Sequence, residues 1–276
     1  MNSITSIRCY TFDAILVSLL LAAASGAHAQ VSSINSATII PRVFNDVPGA
    51  VGTYINSYPG SITLGESGMS APTGYADRDV WYFSNNGGVS PYQFQNGDYF
   101  NASFNLTLTG SSTPTIDLEA GWLFSNPGGT WGGDLQSIVK KDGEVVQFGG
   151  PSFFGFSPAN GGTSVPNYTL GATYLMGLNY VLDPNTGNNA FQYSVNGVYA
   201  TSSPGDTYFD LGAGVSIGSP GDKLGGYFQI QNDPANPNNF GQAVFGDITI
   251  TSVPEPSTLA LLGLGVAPLL LRRRRI

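Results

Sequence analysis

FNASFNLTLT, residues Phe100 to Thr109, decides the fold. Phe100, Ala102, Phe104, Leu106 and Leu108 fall on one side of an extended chain. Asn101, Ser103, Asn105, Thr107 and Thr109 fall on the other. A period of two with one apolar and one polar side is the signature of a β-strand packed on one face only. The pattern returns at Ile116, Leu118, Ala120, Trp122 and Phe124, and again at Tyr174, Met176, Leu178, Tyr180 and Leu182.

Two hairpins are written between such strands. Asp142-Gly143 separates SIVKK from EVVQF, and Asn196-Gly197 separates FQYSV from VYATS. Both pairs tolerate the positive φ values of a type I′ turn. Shorter strand candidates are Ala37–Phe44, Val80–Ser84, Val215–Gly218, Gly226–Gln231 and Val244–Ser252, with Gly, Pro, Asn and Ser between them. No long stretch of the body has a 3.6-residue period, so the crossover helices of a parallel sheet are missing. The expected fold is an all-β antiparallel sandwich, with Phe104, Leu106, Leu118, Trp122 and Leu178 turned inward. Trp81 and Trp122 fall in strands and belong to the core.

Part of this body resembles the concanavalin A/laminin-G type of jelly roll. The resemblance rests on FNLTLTG (104–110), on TYLMGLNYVLD (173–183) followed by FQYSVNGVYATSS (191–203), and on the closing FGDITI (245–250).

The ends are of a different character. Met1 to Phe12 carries the cation Arg8, Ala14 to Ala24 is apolar apart from Ser18, and Ala27-His28-Ala29 is a small-x-small cleavage pattern. Residues 1–29 therefore read as a secretory signal peptide and its helix, cut between Ala29 and Gln30. The chain's one cysteine, Cys9, and its one histidine, His28, leave with it. A body without thiol, disulfide or imidazole excludes a Ser-His-Asp triad, a Cys-His pair and any His- or Cys-ligated zinc.

At the other end, Val253-Pro254-Glu255-Pro256-Ser257-Thr258 is followed by LALLGLGVAPLLL (259–271) and by Arg272, Arg273, Arg274 and Arg275. This order resembles the PEP-CTERM sorting signal of Gram-negative bacteria. The resemblance implies recognition by an exosortase-type membrane enzyme, cleavage near Pro254-Glu255-Pro256, and export to the cell surface or medium. It also implies the company of exopolysaccharide and biofilm systems. The apolar run agrees physically. At ~1.5 Å per residue it rises only ~20 Å as a helix, short of the ~20 residues a full membrane span needs. Gly263, Gly265 and Pro268 weaken it further. Such a segment makes a transient inner-membrane insertion, with the arginines held on the cytoplasmic side. Residues 30–252 then form the sandwich domain and 253–276 the sorting signal.

The body carries sixteen acids against the five cations Arg42, Arg78, Lys140, Lys141 and Lys223, a net charge of −11. Five scattered cations make no basic patch, so nucleic acid is excluded as a partner.

Carboxylates remain for chemistry. Asp117 and Glu119, two apart, share a face opposite Leu118 and Trp122. Paired acids can hydrolyse glycosides, and family-sixteen jelly-roll hydrolases alternate acids along one strand. Here the third acid and the flanking aromatics are absent, and a solvated polar face is the simpler reading. Asp183 and Asn185, in Asp183-Pro-Asn-Thr-Gly-Asn-Asn189, have the oxygen spacing of a weak calcium loop but lack its further acids. They are also ordinary turn residues, and no other cofactor is implied. Asp77-Arg78-Asp79 reads as a surface ion pair. Trp131, in the glycine-rich NPGGTWGGD (126–134), is the indole best placed to stack on a sugar. The reading that follows is a non-enzymatic exported module associated with extracellular polysaccharide. The alternative is a carboxylate-dependent glycoside hydrolase on the same fold.

Overall fold

A computed structural model describes residues 30–44, 46–70, 76–111, 116–127, 133–149, 154–155, 167–201 and 205–253. After a short 3₁₀ turn at Gln30–Ser33, the strands in chain order are β1 (Ser36–Phe44), β2 (Val51–Ser57), β3 (Ser61–Ser67), β4 (Ala76–Ser84) and β5 (Phe100–Gly110). There follow β6 (Leu118–Ser125), β7 (Leu135–Lys140), β8 (Val145–Gly149), β9 (Phe154–Gly155) and β10 (Thr173–Leu182). The last are β11 (Asn189–Val195), β12 (Val198–Tyr199), β13 (Phe209–Asp210), β14 (Lys223–Gln231) and β15 (Phe240–Ser252).

These strands form two antiparallel sheets laid face to face. One has seven strands in the order β1-β4-β14-β6-β7-β8-β9. The other has eight, β12-β11-β10-β5-β15-β3-β2, with β13 beside β11. The result is the all-β antiparallel sandwich expected from the period-two pattern, and it is jelly-roll-like, as the resemblance implied. Among the described residues no helix is long and apolar enough to cross a membrane. The signal segment and the sorting tail lie outside the described residues.

The core is aromatic. Phe104, Leu106, Leu118, Trp122 and Leu178 are all fully buried, as their phase in the strands requires. Phe104 of one sheet and Trp122 of the other have ring centroids 4.1 Å apart, and Phe245 meets Trp81 edge-on at 5.7 Å. Gly226 makes room for this contact. A Cβ there would lie 2.5 Å from Trp81 Nε1 and 2.7 Å from Phe245.

The turns follow local chemistry. Asn196 and Gly197 have φ of +51° and +78°, consistent with the expected type I′ turn. The Asp142-Gly143 hairpin differs. Only Gly143 has a positive φ (+99°), Gly143 N donates to Lys140 O at 3.1 Å, and Lys140 N donates to Glu144 O at 2.8 Å. That is a type I turn closed by a glycine bulge, which leaves Asp142 free to accept from Glu144 N.

Val215–Gly218 is not a strand. Gly218 has φ +115°, and its N–H and that of Ser219 donate to Asp222 Oδ2 at 2.8 and 3.0 Å. A buried carboxylate gathers these amides into a loop instead of a ladder. Conversely, β2 and β3 lie in a stretch, GTYINSYPGSITLGES, whose apolar residues are too sparse to declare strands. As the sheet edge, β2 leaves Val51 and Ile55 exposed, which blurs the alternation.

Candidate functional site

The outer face of the seven-stranded sheet carries a row of polar side chains that crosses four strands and ends on Phe44 of a fifth. Register places Phe44 of β1 beside Arg78 of β4, Arg78 beside Gln229 of β14, Gln229 beside Glu119 of β6, and Glu119 beside Lys140 of β7. Arg78 Nε donates to Gln229 Oε1 at 2.8 Å, and Gln229 Nε2 donates to Glu119 Oε1 at 3.0 Å. The next row adds Tyr227, whose hydroxyl is 3.3 Å from Glu119 Oε1 and 3.1 Å from Gln136 Oε1. The Arg78 guanidinium lies over the rings of both Phe44 and Tyr227, at 5.4 and 5.3 Å. Below this row Val80, Tyr82, Leu123, Ile138, Val146 and Tyr227 form a second buried cluster.

Burial governs the electrostatics here. It pushes the Glu119 carboxyl above its ordinary value, Asp117 adds to the rise, and Lys140 and Arg78 oppose it. It also holds the Tyr227 hydroxyl well above its usual range, so that the phenol stays protonated. The set therefore contains a carboxyl that takes up a proton readily and a phenol that donates hydrogen bonds.

Asp117 and Glu119 are brought to the same end of β6, but into different environments. Glu119 is 8% exposed and Leu118 and Trp122 point the opposite way into the core, as the alternation requires. Asp117 precedes the strand, caps it by accepting from Leu118 N, and pairs with Lys140 Nζ at 3.5 Å. Lys140 also reaches Glu144 at 3.2 Å and Asp142 at 4.0 Å. Tyr227 and Gln229 as partners of Glu119, with Gln136 and Arg78 behind them, were not legible. Their spacing in YFQIQ and DRD shows shared faces, but the register that joins them is tertiary.

Asp183 and Asn185 lie in the β10–β11 turn. Asp183 is buried and its Oδ1 accepts from Asn185 N at 2.8 Å, an Asx turn. Gly187 N returns to Asp183 O at 2.8 Å. Among the described residues no group of three or more acids, histidines or cysteines is placed to hold a metal ion. Trp131, the cleavage residues Ala27 and Ala29, and the sorting residues Pro254 to Arg275 lie outside the described residues.

The Asp77-Arg78-Asp79 triplet is not a surface ion pair. Alternate residues of a strand face opposite ways, so Arg78 joins the outer row while Asp77 and Asp79 turn inward and are fully buried. Their counter-charge comes from β1. At a bulge in that strand Arg42 adopts φ +50°, and its N–H donates to Asp79 Oδ1 at 2.9 Å. Its side chain enters between the sheets to grip both oxygens of Glu66, at 3.2 and 3.1 Å. The Tyr54 hydroxyl donates to Glu66 and also lies 3.2 Å from Asp79 Oδ1, and Val47 N donates to Asp77 Oδ1 at 2.6 Å. The guanidinium pairs with the buried Glu66, lies 3.9 Å from the buried Asp77, and pairs with the exposed Asp46 at 2.8 Å, while Asp79 is met by the Arg42 main chain. Burial pushes Asp77 up to about 6 and Asp79 up to about 7, with Glu66 adding to both.

Comparison with known proteins adds a sorting motif and fold likenesses. Residues 252–275 match the model of the PEP-CTERM protein-sorting motif. The motif marks proteins that are exported across the inner membrane and processed at the C terminus for the surface or the medium. No curated protein matches the chain. Among solved structures, the chain is similar to an alginate lyase from Corynebacterium sp. at 12% identity, over 76% of this chain and 82% of that one, with a TM-score of 0.45. It is similar to the family 7 alginate lyase A1-II′ Y284F, at 13% identity over 72% and 83% with a TM-score of 0.40. It is also similar to the carbohydrate recognition domain of Emp46p, at 10% identity over 72% and 87% with a TM-score of 0.36.

Proposed function

We propose that the exported body is a non-enzymatic surface or matrix module that associates with extracellular polysaccharide, and that an exosortase-type enzyme removes its tail. The observation that carries the non-enzymatic reading is the condition of the Asp117 and Glu119 pair. Glu119 is buried and accepts from Gln229 and Tyr227, while Asp117 is paired with Lys140. Glu119 Oε1 is engaged with β14 and Asp117 Oδ2 with Lys140 of β7, so the two carboxyls that a glycosidase would use as acid and nucleophile here tie β6 to its neighbours. The association with polysaccharide is supported by the company that the sorting motif keeps and by an acidic body that offers nucleic acid no cationic face.

A carboxylate glycosidase is the second reading, favoured by one observation. The raised Glu119 carboxyl is what a general acid requires near neutral pH. A glycan-array screen of the exported protein, with calcium and with EDTA, tests the first reading, and release of reducing ends from bacterial exopolysaccharide tests the second. Binding without release supports the module. Release abolished by Asp117→Asn with Glu119→Gln replaces it with the glycosidase.

A further inference from the structure

The outer face of the eight-stranded sheet is built differently from the rest of the surface. Strands β5, β10, β11 and β12 contain no charged residue, and β15 contains Asp247 alone, in a body with twenty-one charges. Register lays two rows across these strands. The first runs Thr249, Ser103, Gly177, Ser194, Tyr199, and the second runs Thr251, Asn101, Asn179, Gln192. With ~4.8 Å between neighbouring strands, the first row spans about 19 Å. Along it lies an open depression of about 220 Å³, lined among others by Asn101, Ser103, Gly177, Asn179, Ser194 and Thr249. Tyr199 and Leu175 stand at its rim with 40% and 45% of their surface exposed.

Two features shape this trough. Gly177 sits mid-strand at the centre of the first row, with no positive φ to demand a glycine. Its missing side chain leaves the floor low between Ser103 and Ser194. A Cβ there would meet only the Ser194 side chain closely, its hydroxyl at 2.4 Å. The polar groups are also pre-ordered. Ser103 and Thr249 hydroxyls are paired at 2.8 Å, and Asn179 Nδ2 approaches Gln192 Oε1 at 3.5 Å. Groups fixed before binding lose less entropy when a ligand arrives.

The chemistry of the lining selects the occupant. A polyanion meets no cation here and is repelled by the net −11 body. A polycation finds one carboxylate, Asp247, already bound by Asn105 Nδ2 at 2.9 Å. An apolar ligand would bury amides and hydroxyls unpaired. A neutral hydroxylated polymer satisfies both the amide and hydroxyl floor and the aromatic rim. Its hydroxyls pair with Asn, Ser and Thr, and the C–H face of a ring covers Tyr199.

We infer that this trough binds a neutral polysaccharide chain lying across the strands, with Tyr199 as the stacking ring and Gly177 as the opening in the floor. The inference rests on the reading of the body as polysaccharide-associating, and it moves the contact away from Trp131, Asp117 and Glu119.

The test is native electrophoresis of the exported protein, purified from its host, in gels holding hydroxyethylcellulose, galactomannan or alginate. Retardation is expected in a neutral gel and not in alginate. Tyr199→Ala weakens it by about tenfold, the loss of one stacking ring. Gly177→Val fills the trough with a residue suited to strands and abolishes retardation, with the unfolding temperature of both variants unchanged. Retardation that survives both variants overturns the site but leaves the association with polysaccharide standing. Retardation by alginate alone overturns the assignment to neutral chains. No retardation in any gel overturns the association and the site together. Concentration-dependent dimerisation abolished by Gly177→Val, without retardation of the parent, assigns the face to a second copy and overturns the inference.

Discussion

The ring of Phe104 lies 4.1 Å, centroid to centroid, from the indole of Trp122, and this contact joins the two sheets at the middle of the sandwich. Both residues are fully buried, and Phe245 and Trp81 close around them. In a body without disulfides such contacts carry the stability that cross-links would otherwise supply. Removing a buried ring or leucine costs its transfer free energy plus the cavity left behind. Phe104→Ala and Leu118→Ala are each expected to lower unfolding stability by ~2–5 kcal/mol in urea titrations. A loss under ~0.5 kcal/mol at both positions would contradict the inward assignment.

The fold was legible because its information is local. Residues 100–109 alternate so strictly that facing and burial follow from covalent geometry alone, and Asn196-Gly197 states its turn outright. The edge strand β2 was not legible, because its apolar Val51 and Ile55 lie on the exposed side while Gly52 shares the inward phase with Tyr54. Val215–Gly218 misled for the opposite reason. Its apolar residues suit a strand, but Asp222 organises the amides around it from a distance of four residues. The site was less legible than the fold. Glu119 stands out in the sequence, but Gln229 and Tyr227 are more than a hundred residues away, and only the pairing of β14 with β6 brings them to it.

A pH dependence follows from the interior acids. Asp77 and Asp79 have ordinary values of 3.8 and are pushed to about 6 and about 7, first by burial. Between these limits the folded chain holds protons that the unfolded chain releases, so stability falls as pH rises. The contribution is complete below about pH 4 and is lost as pH climbs through 6 and 7. Glu119 and Asp222 are raised by burial and act with the same sign. For Asp210 burial also raises, but hydrogen bonds from Thr186, Gly212 and Asn188 outweigh it, and its opposite effect falls below about pH 4. The urea midpoint is expected to be higher at about pH 5 than at about pH 7.5, with Asp79→Asn flattening the difference. A higher midpoint at the upper pH would refute this account.

Processing is open to mass measurement. Cleavage after Ala29 and near Pro254-Glu255-Pro256 gives a mature chain that begins at Gln30 and lacks the arginine cluster. Intact mass spectrometry of protein recovered from the host's surface or medium is expected to show that chain. An unmodified form ending at Ile276 would be incompatible with exosortase processing.

Calcium removal should be silent. Asp183 Oδ1 is spent on the Asn185 amide, and Asp210 Oδ2 takes the Thr186 hydroxyl at 2.7 Å and Asn188 Nδ2 at 3.1 Å. The loop is thus held by its own hydrogen bonds. EDTA is expected to leave both the unfolding temperature and glycan retardation unchanged. A drop in unfolding temperature restored by added Ca²⁺ would establish the Asp183 and Asn185 loop as a cation site.

Glu119 separates a structural from a catalytic role most cleanly. Its Oε1 accepts from Gln229 Nε2 and from Tyr227, so Glu119→Gln keeps the acceptor and removes the charge that burial disfavours. That change is expected to alter stability by less than about 1 kcal/mol. Glu119→Ala instead strands the Gln229 amide beside a new cavity and should cost about 2–3 kcal/mol. Tyr227→Phe, which removes the one hydroxyl that Glu119 and Gln136 share, should cost about 1 kcal/mol. A structural role predicts this order in urea titrations, Ala worst and Gln mildest, with glycan retardation unchanged in the Gln variant. A catalytic role predicts the reverse emphasis. Glu119→Gln would then leave the fold intact while eliminating release of reducing ends, because a glutamine side chain cannot donate the proton that a general acid supplies.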